Sequence, residues 1–142
     1  MSADLEAELR AFLIADAAVA ALVGERVYPA PAPQNSLMPF VTFQRISATR
    51  EYTLAGPAGL AGVLMQIDCW ADAPEYDGNY AVTKEVATAV RLCLEGYSGL
   101  FTSIYVQEIT VDNERDVFEP QDKTRRASLD FRIWHNEEFT PR

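Results

Sequence analysis

The chain has 142 residues, of which 49% are hydrophobic and 23% are charged, and its formal net charge is −9. That length suits one domain that buries about 68–70% of the surface of the unfolded chain, so neither a disulfide nor a metal is required for stability. No run approaches the roughly 18 consecutive apolar residues of a membrane span, and the negative charge excludes tight binding along nucleic acid phosphates.

The first segment of the chain predicts two short helices. The first covers Asp4–Ala15 and carries apolar side chains on one face at helical spacing: Leu5, Leu9, Phe12 and Leu13. The second covers Ala17–Val23, follows Asp16 and ends at Gly24, a residue typical of helix C-termini. Val27 and Tyr28 then begin an extended segment. The start of the chain lacks the basic stretch of a secretory signal, so we expect synthesis in the cytoplasm.

Four longer strands are predicted from alternating β-branched and aromatic residues. They are Phe40–Thr49, Gly62–Ala71, Ser103–Asn113 and Ala127–Asn136. The prolines between Pro29 and Pro39 exclude regular structure before the first of them. The alternation places Trp70 and Trp134 on faces that carry polar residues. The third strand changes parity along its length, which predicts either a bulge near Gln107–Glu108 or a strand whose two halves pack on different partners.

A longer helix is predicted between the second and third of these strands. It starts after Pro74 and ends near Gly96, with one face formed by Val82, Val86, Val90, Cys93 and Tyr97. The predicted elements follow the order helix, helix, strand, strand, helix, strand, strand. This order favours an α+β fold: an antiparallel sheet of about four strands with helices packed on one face. We expect residues 1–142 to form a single domain.

The segment Ser47–Ala61 is predicted to be a long loop. It joins two strands but is much longer than a hairpin turn requires. It mixes small residues with exposed apolar ones such as Leu54 and Leu60. Docking against another subunit would explain this composition, so we interpret the loop as an interaction segment.

The sequence offers no constellation of residues for catalysis, a metal or a cofactor. His135 is the single histidine and is expected to be a solvated residue at a strand end. Cys69 and Cys93 lie in apolar patterns, which indicates buried reduced thiols. Four acidic residues lack the order of a calcium loop, and we interpret them as structural acids on a stretch that runs from a strand into the start of a helix, where acids stabilise the helix: Asp68, Asp72, Glu75 and Asp77.

Two arginine-bearing patches are the remaining candidates for a functional site. The first consists of Arg45, Arg50, Glu51 and Tyr52. The second consists of Arg115, Asp116, Phe118 and Glu119, with Arg125 and Arg126 nearby. They are either a solvated rim with salt bridges worth about 0–1 kcal/mol each or a seam between subunits, where arginine and aromatic residues are enriched.

Several phrases, in this order, resemble the tail completion (tail terminator) family of long-tailed phages, prophages and gene transfer agents. The phrases are Leu22-Val-Gly-Glu-Arg-Val-Tyr-Pro29, Pro39-Phe-Val-Thr-Phe-Gln-Arg-Ile-Ser47, Tyr52-Thr-Leu-Ala-Gly-Pro57, Gln66-Ile-Asp-Cys-Trp70, Glu114-Arg-Asp-Val-Phe-Glu-Pro120 and Arg126-Ala-Ser-Leu-Asp-Phe-Arg-Ile-Trp134. The resemblance covers nearly the whole chain and favours the seam interpretation of the two patches.

The resemblance implies a structural virion protein at the head–tail joint, made in the cytoplasm of the bacterial host. Its copies would form a homohexameric ring that caps the tail tube, stops its polymerisation and meets a stopper or connector protein on the head side. DNA would pass through the ring only as transient cargo, with no cofactor and no membrane involved. Two alternatives stay open: another head–tail connector or minor tail protein, and a small enzyme with a site between subunits.

Overall fold

The computed structural model describes residues 4–72, 80–121 and 123–137. Three helices occur in this part of the chain: α1 (Leu5–Ala15), α2 (Ala17–Val23) and α3 (Tyr80–Leu94). The side chain of Asp4 accepts a hydrogen bond from the Glu6 amide, and that of Asp16 accepts one from the Val19 amide, so each carboxylate caps the helix that follows it. The two N-terminal helices are confirmed, whereas the predicted start of the third after Pro74 lies outside the described residues.

Six strands form one sheet in the order β1-β2-β3-β6-β5-β4. Their bounds are β1 (Val27–Pro29), β2 (Phe40–Thr53), β3 (Gly56–Asp72), β4 (Gly99–Leu100), β5 (Tyr105–Glu119) and β6 (Thr124–Asn136). All neighbours are antiparallel except β1 and β2, which are parallel. The α+β class is confirmed, but the expectation of about four antiparallel strands is wrong, because the short β1 and β4 extend the sheet at its two sides.

The core lies between the helices and one face of the sheet. Alternate residues of the two central strands point into it, among them Met65 and Ile67 of β3 and Phe131 of β6, all without solvent exposure. Leu9 of α1 and Val90 of α3 belong to the same buried cluster. The apolar faces of the helices and of the sheet therefore pack against each other in a single layer. No helix among the described residues has the length and apolar content to cross a membrane.

Bulges interrupt the pairing of the long strands. The register of β5 against β6 shifts between Val106 and Glu108, which confirms the predicted bulge near Gln107–Glu108. A second shift occurs between Val111 and Asn113. The first bulge returns Ile109 to the core face, whereas the second places Glu114 and Asp116 opposite the buried Leu129 and Ala127.

The segment Ser47–Ala61 is not a loop, and that prediction is wrong. β2 continues to Thr53 and β3 starts at Gly56, so a tight turn at Leu54 and Ala55 closes a long hairpin. The hairpin tolerates Pro57 because β3 pairs with β6 only from Leu60 onward, which leaves the outer edge of this stretch without a described partner strand. Gly56, at φ 124°, supplies the left-handed backbone beside the turn.

Candidate functional site

The first predicted patch lies at one end of the sheet, on a projecting arm. We call Glu51–Gly59 the arm, because only β2 and β3 pair there, beyond the end of β6. Tyr52 is 68% exposed and Leu54 at the tip is fully exposed. Leu60 is half-buried at the base, where it pairs with Asn136. The arm therefore presents apolar side chains to solvent without support from the core.

The two arginines of this patch bind carboxylates of the same chain. Arg50 donates from Nε and Nη2 to the two carboxylate oxygens of Glu137, at 2.8 and 3.0 Å. The side-chain hydrogen bond from Arg50 lowers the pKa of Glu137. Arg45 lies 2.8 Å from Glu6 of α1. These pairs fix the base of the arm to the end of β6 and to the helix layer.

The second predicted patch lies on β5, near the edge of the sheet opposite to β2. Arg115 binds Asp130 of β6 at 3.0 Å, and Asp116 binds Lys84 of α3 at 2.6 Å. The hydrogen bond with Asp116 raises the pKa of the Lys84 ammonium. Glu119 is held only loosely, 3.8 Å from Arg126. The structure thus separates the two patches rather than joining them into one site.

Phe118 extends the second patch with an apolar surface. It is 49% exposed, and the guanidinium carbon of Arg125 lies 5.0 Å from its ring centroid. The same guanidinium lies 5.8 Å from the ring of Tyr80 in α3. These cation–π contacts join the end of β5 to the start of α3 and leave half of the Phe118 ring open to a partner.

A groove beside Trp70 was not singled out by the sequence. It has a volume of about 710 Å³ and is lined in part by Pro31, Met38 and Phe40. The guanidinium of Arg126 lies 5.0 Å from the Trp70 ring centroid. Trp70 Nε1 donates to Thr42 Oγ1 at 3.0 Å, outside the helix-covered face. The signal in the sequence was a tryptophan at a polar position of an alternating strand.

His135 is buried, and the expectation of a solvated residue is wrong. It is 3% exposed because it points to the helix side of β6, beside Ala61 and Val106. Its Nδ1 lies 3.1 Å from the carbonyl oxygen of Asn136, and its Nε2 has no hydrogen-bond partner within the described ranges. The histidine–carboxylate hydrogen bond of a general base is therefore not formed by these residues.

The cysteines and acids have structural surroundings. Cys69 is fully buried and Cys93 half-buried, and both are free, in agreement with the predicted reduced thiols. Burial raises the pKa of both thiols, that of Cys93 to about 12. Asp68 accepts hydrogen bonds from Gln66 and lies 3.7 Å from Arg126. Glu75 and Asp77 lie outside the described residues, and in the remainder no three metal-ligating side chains cluster.

Comparison with known proteins identifies the family. No curated protein matches the chain. A chain in the virion of a native gene transfer agent particle is 26% identical with a TM-score of 0.76, over 93% of this chain and 94% of that one. A second solved structure, 11% identical with a TM-score of 0.55, covers 99% of this chain and 100% of its own, and shares the fold. The family model of tail completion protein gp17 matches residues 7–136, so this chain belongs to the tail completion protein gp17 family.

Proposed function

We propose that this chain is a tail terminator, a structural virion subunit that closes the tail tube. Its copies would form a homohexameric ring on the last ring of tube protein, stop polymerisation and offer the head-side stopper or connector a docking surface. The observation that carries the proposal is the family match over residues 7–136. The 26% identical chain in a gene transfer agent virion, which covers nearly the full length, supports it.

The placement of the two patches supports a ring. A cyclic assembly of identical subunits joined head to tail requires two different, complementary surfaces on each subunit. The patch around Arg50 and the patch around Arg115 lie on β2 and β5, which are on opposite sides of the sheet. Each can therefore face the other patch of a neighbouring copy without overlap within one chain.

The arm supports a contact outside the subunit. Tyr52 and Leu54 are large apolar side chains without described core contacts, and exposed apolar surface of this kind marks interaction sites. The arm projects beyond the sheet end, in a direction along the strands. We assign it to a contact with a neighbouring subunit or with the tail tube.

The charge of the chain suits a conduit for DNA. With a net charge of −9 on each subunit, a ring would repel phosphates, so DNA would pass without adhering. This is a mechanical task in which the protein makes and breaks no covalent bond. The site of action would be the head–tail joint of the virion, after synthesis in the host cytoplasm.

Deletion of the gene followed by electron microscopy of the particles tests the proposal. We expect tubes of uncontrolled length or tails without heads, and a plasmid copy of the gene should restore joined particles. Tubes of normal length with a defect confined to the heads would instead indicate a head-side connector. A defect at the distal end of the tail would indicate a minor tail protein.

The arm is tested separately by replacing Glu51–Gly59 with Asn-Gly, which leaves three residues between the paired Arg50 and Ala61. We expect a folded monomer, checked by circular dichroism, that no longer completes tails. A second variant, Leu54→Ser, keeps the arm and removes only its apolar tip, so it separates the contribution of that side chain from that of the whole arm. Unchanged yields of tailed particles from the shortened variant would rule out the role of the arm.

A further inference from the structure

Within residues 4–72, 80–121 and 123–137, two long strand edges of the sheet have no partner strand. On β2, the short β1 reaches only to Phe43, whose carbonyl accepts the last hydrogen bond, from Ala30. On β5, β4 covers Tyr105 and Val106, and the amide of Gly96 bonds the carbonyl of Ile109. Beyond these points, β3 is the described partner of Gln44–Thr53 on one side only, and β6 is that of Thr110–Glu119, so no described residue pairs with the outer side of either stretch. We call these two stretches, each ten residues long, the β2 edge and the β5 edge.

Both edges are open to solvent. Every residue of the β2 edge is exposed except Ala48, which is half-buried, and no residue of the β5 edge is buried. An open edge presents a row of unpaired backbone groups, which is a template for pairing with another chain. Most proteins keep such edges short or cover them, so two long open edges on one small sheet call for an explanation.

The residues of the two edges differ in formal charge. The β2 edge carries two arginines and one glutamate, a net charge of +1, whereas the β5 edge carries four carboxylates and one arginine, a net charge of −3. Ion pairs within the chain compensate most of these charges: the two arginines pair with Glu6 and Glu137, and three of the four acids pair with Arg132, Lys84 and Arg126. Charge therefore does not decide the partner of either edge, and strand direction does.

Strand direction favours pairing of the β5 edge with the β2 edge of another copy. From β2 through β3 and β6 to β5, each neighbour is antiparallel, so β2 and β5 run in opposite directions. Rotation about an axis roughly along the strands preserves these directions. The β5 edge of one copy would therefore meet the β2 edge of the next copy in antiparallel orientation, which is the orientation of the other long strands.

We propose that the β5 edge of each subunit pairs with the β2 edge of the next, so that the sheets of all copies form one continuous, closed sheet. This inference depends on the ring put forward as the proposed function and specifies how its seam is built. Closure of a sheet on itself removes every open edge, and the arm of each copy would then lie across the end of its neighbour.

Alternation identifies the backbone groups that would form the seam. The amide of Val41 donates to Arg26, and the carbonyl of Phe43 accepts from Ala30, so alternate residues of β2 direct both groups away from β3. The register shift between Arg45 and Ser47 inserts one extra residue, so that even-numbered instead of odd-numbered residues then direct their backbone groups away from β3. Beyond it, the amides of Ala48 and Arg50 point to the open side.

A proline at Ala48 tests the seam, because it removes an amide on the open side and leaves the bonds between β2 and β3 intact. The control is Ala48→Ser, which keeps the amide. Loss of one hydrogen bond at every seam should lower the yield of tailed particles by at least about tenfold for the proline variant, while the monomer melts within a few degrees of the serine variant. Equal yields from the two folded variants would overturn the inference.

Disulfide mapping tests the same seam without depending on the proline variant. In a Cys93→Ser background, Thr49→Cys is combined with Asn113→Cys or with Arg115→Cys, and particles are made in a host that lacks the natural gene. We expect oxidised particles to yield a ladder of linked subunits for at least one pair. Thr49→Cys combined with Ala17→Cys, a residue exposed on α2, should give none.

The outcomes separate the inference from the proposed function. Particles that are complete, with the chain at the head–tail joint but without any linked ladder, would overturn the continuous sheet and leave the terminator role intact. Particles whose assembly does not depend on the gene would overturn the terminator role itself.

Discussion

Glu8 is expected to stabilise the fold in a strongly pH-dependent manner. Its Oε1 accepts hydrogen bonds from the backbone amides of Thr102, Ser103 and Ile104 at 2.8–3.0 Å, and its Oε2 accepts one from the Ser103 hydroxyl. The carboxylate thereby ties α1 to the connection between β4 and β5. Desolvation opposes ionisation, but these hydrogen bonds outweigh it and lower the pKa of Glu8 from 4.5 to about 2.

The magnitude follows from linkage between protonation and folding. A fall of the carboxyl pKa from 4.5 to about 2 corresponds to about 3 kcal/mol as an upper bound. The hydrogen bonds lie near the surface, so screening by solvent reduces the expected value to about 1–3 kcal/mol. Because the folded pKa is below the unfolded pKa, this stabilisation is complete above the unfolded value and is lost as the pH falls towards 2.

The assay is urea unfolding of the natural protein and of Glu8→Gln between pH 7 and pH 3. Glutamine keeps the shape and one acceptor oxygen but carries no charge. We expect the difference in the free energy of unfolding to be constant near neutral pH and to shrink below about pH 4.5. A difference that does not change with pH, or no difference at pH 7, would refute the assignment of a charge-assisted clamp.

Three further predictions concern packing, surface charge and reactivity. Gly62→Val should destabilise the protein by about 1–3 kcal/mol in thermal melts, because a Cβ at this position would lie 2.7 Å from the Trp134 ring. In a Trp134→Ala background, most of this loss of stability should disappear. Removal of the exposed Arg50–Glu137 pair should cost less than about 1 kcal/mol in a double-mutant cycle, and a coupling energy that does not fall at high salt would contradict this. Cys93 should resist iodoacetamide at pH 8 in the folded protein, since its pKa is raised to about 12, and rapid labelling under native conditions would show that the thiol is not protected.

The sequence predicts the elements whose pattern repeats over several turns or residues. Leu5, Leu9 and Leu13 follow helical spacing, and all three are buried. The alternation of β6 placed Trp134 on the polar face, where it packs on Gly62 across the strand pair. The parity change in β5 located a bulge. These signals are local, since each depends only on the geometry of one element.

Other features depend on partners that are distant in the chain. β1 and β4 have three and two residues, too few to show a period, and exist because a longer strand lies beside each. The arm combines glycine and proline, which predict a loop, yet pairing between its two halves holds it in extended form. His135 has an ordinary strand-end sequence around it and is buried by the helices that cover its face.

Local periodicity alone therefore determined the type of each long element, the apolar face of α1 and the class of the fold, because a side chain's direction follows from its own backbone. Only the tertiary structure decided that the patches around Arg50 and Arg115 lie on opposite edges of one sheet, and that no described strand covers the outer side of either edge. The reason is that strand order and edge exposure are set by pairing between residues as far apart as Leu60 and Asn136, which no spacing within a single segment encodes.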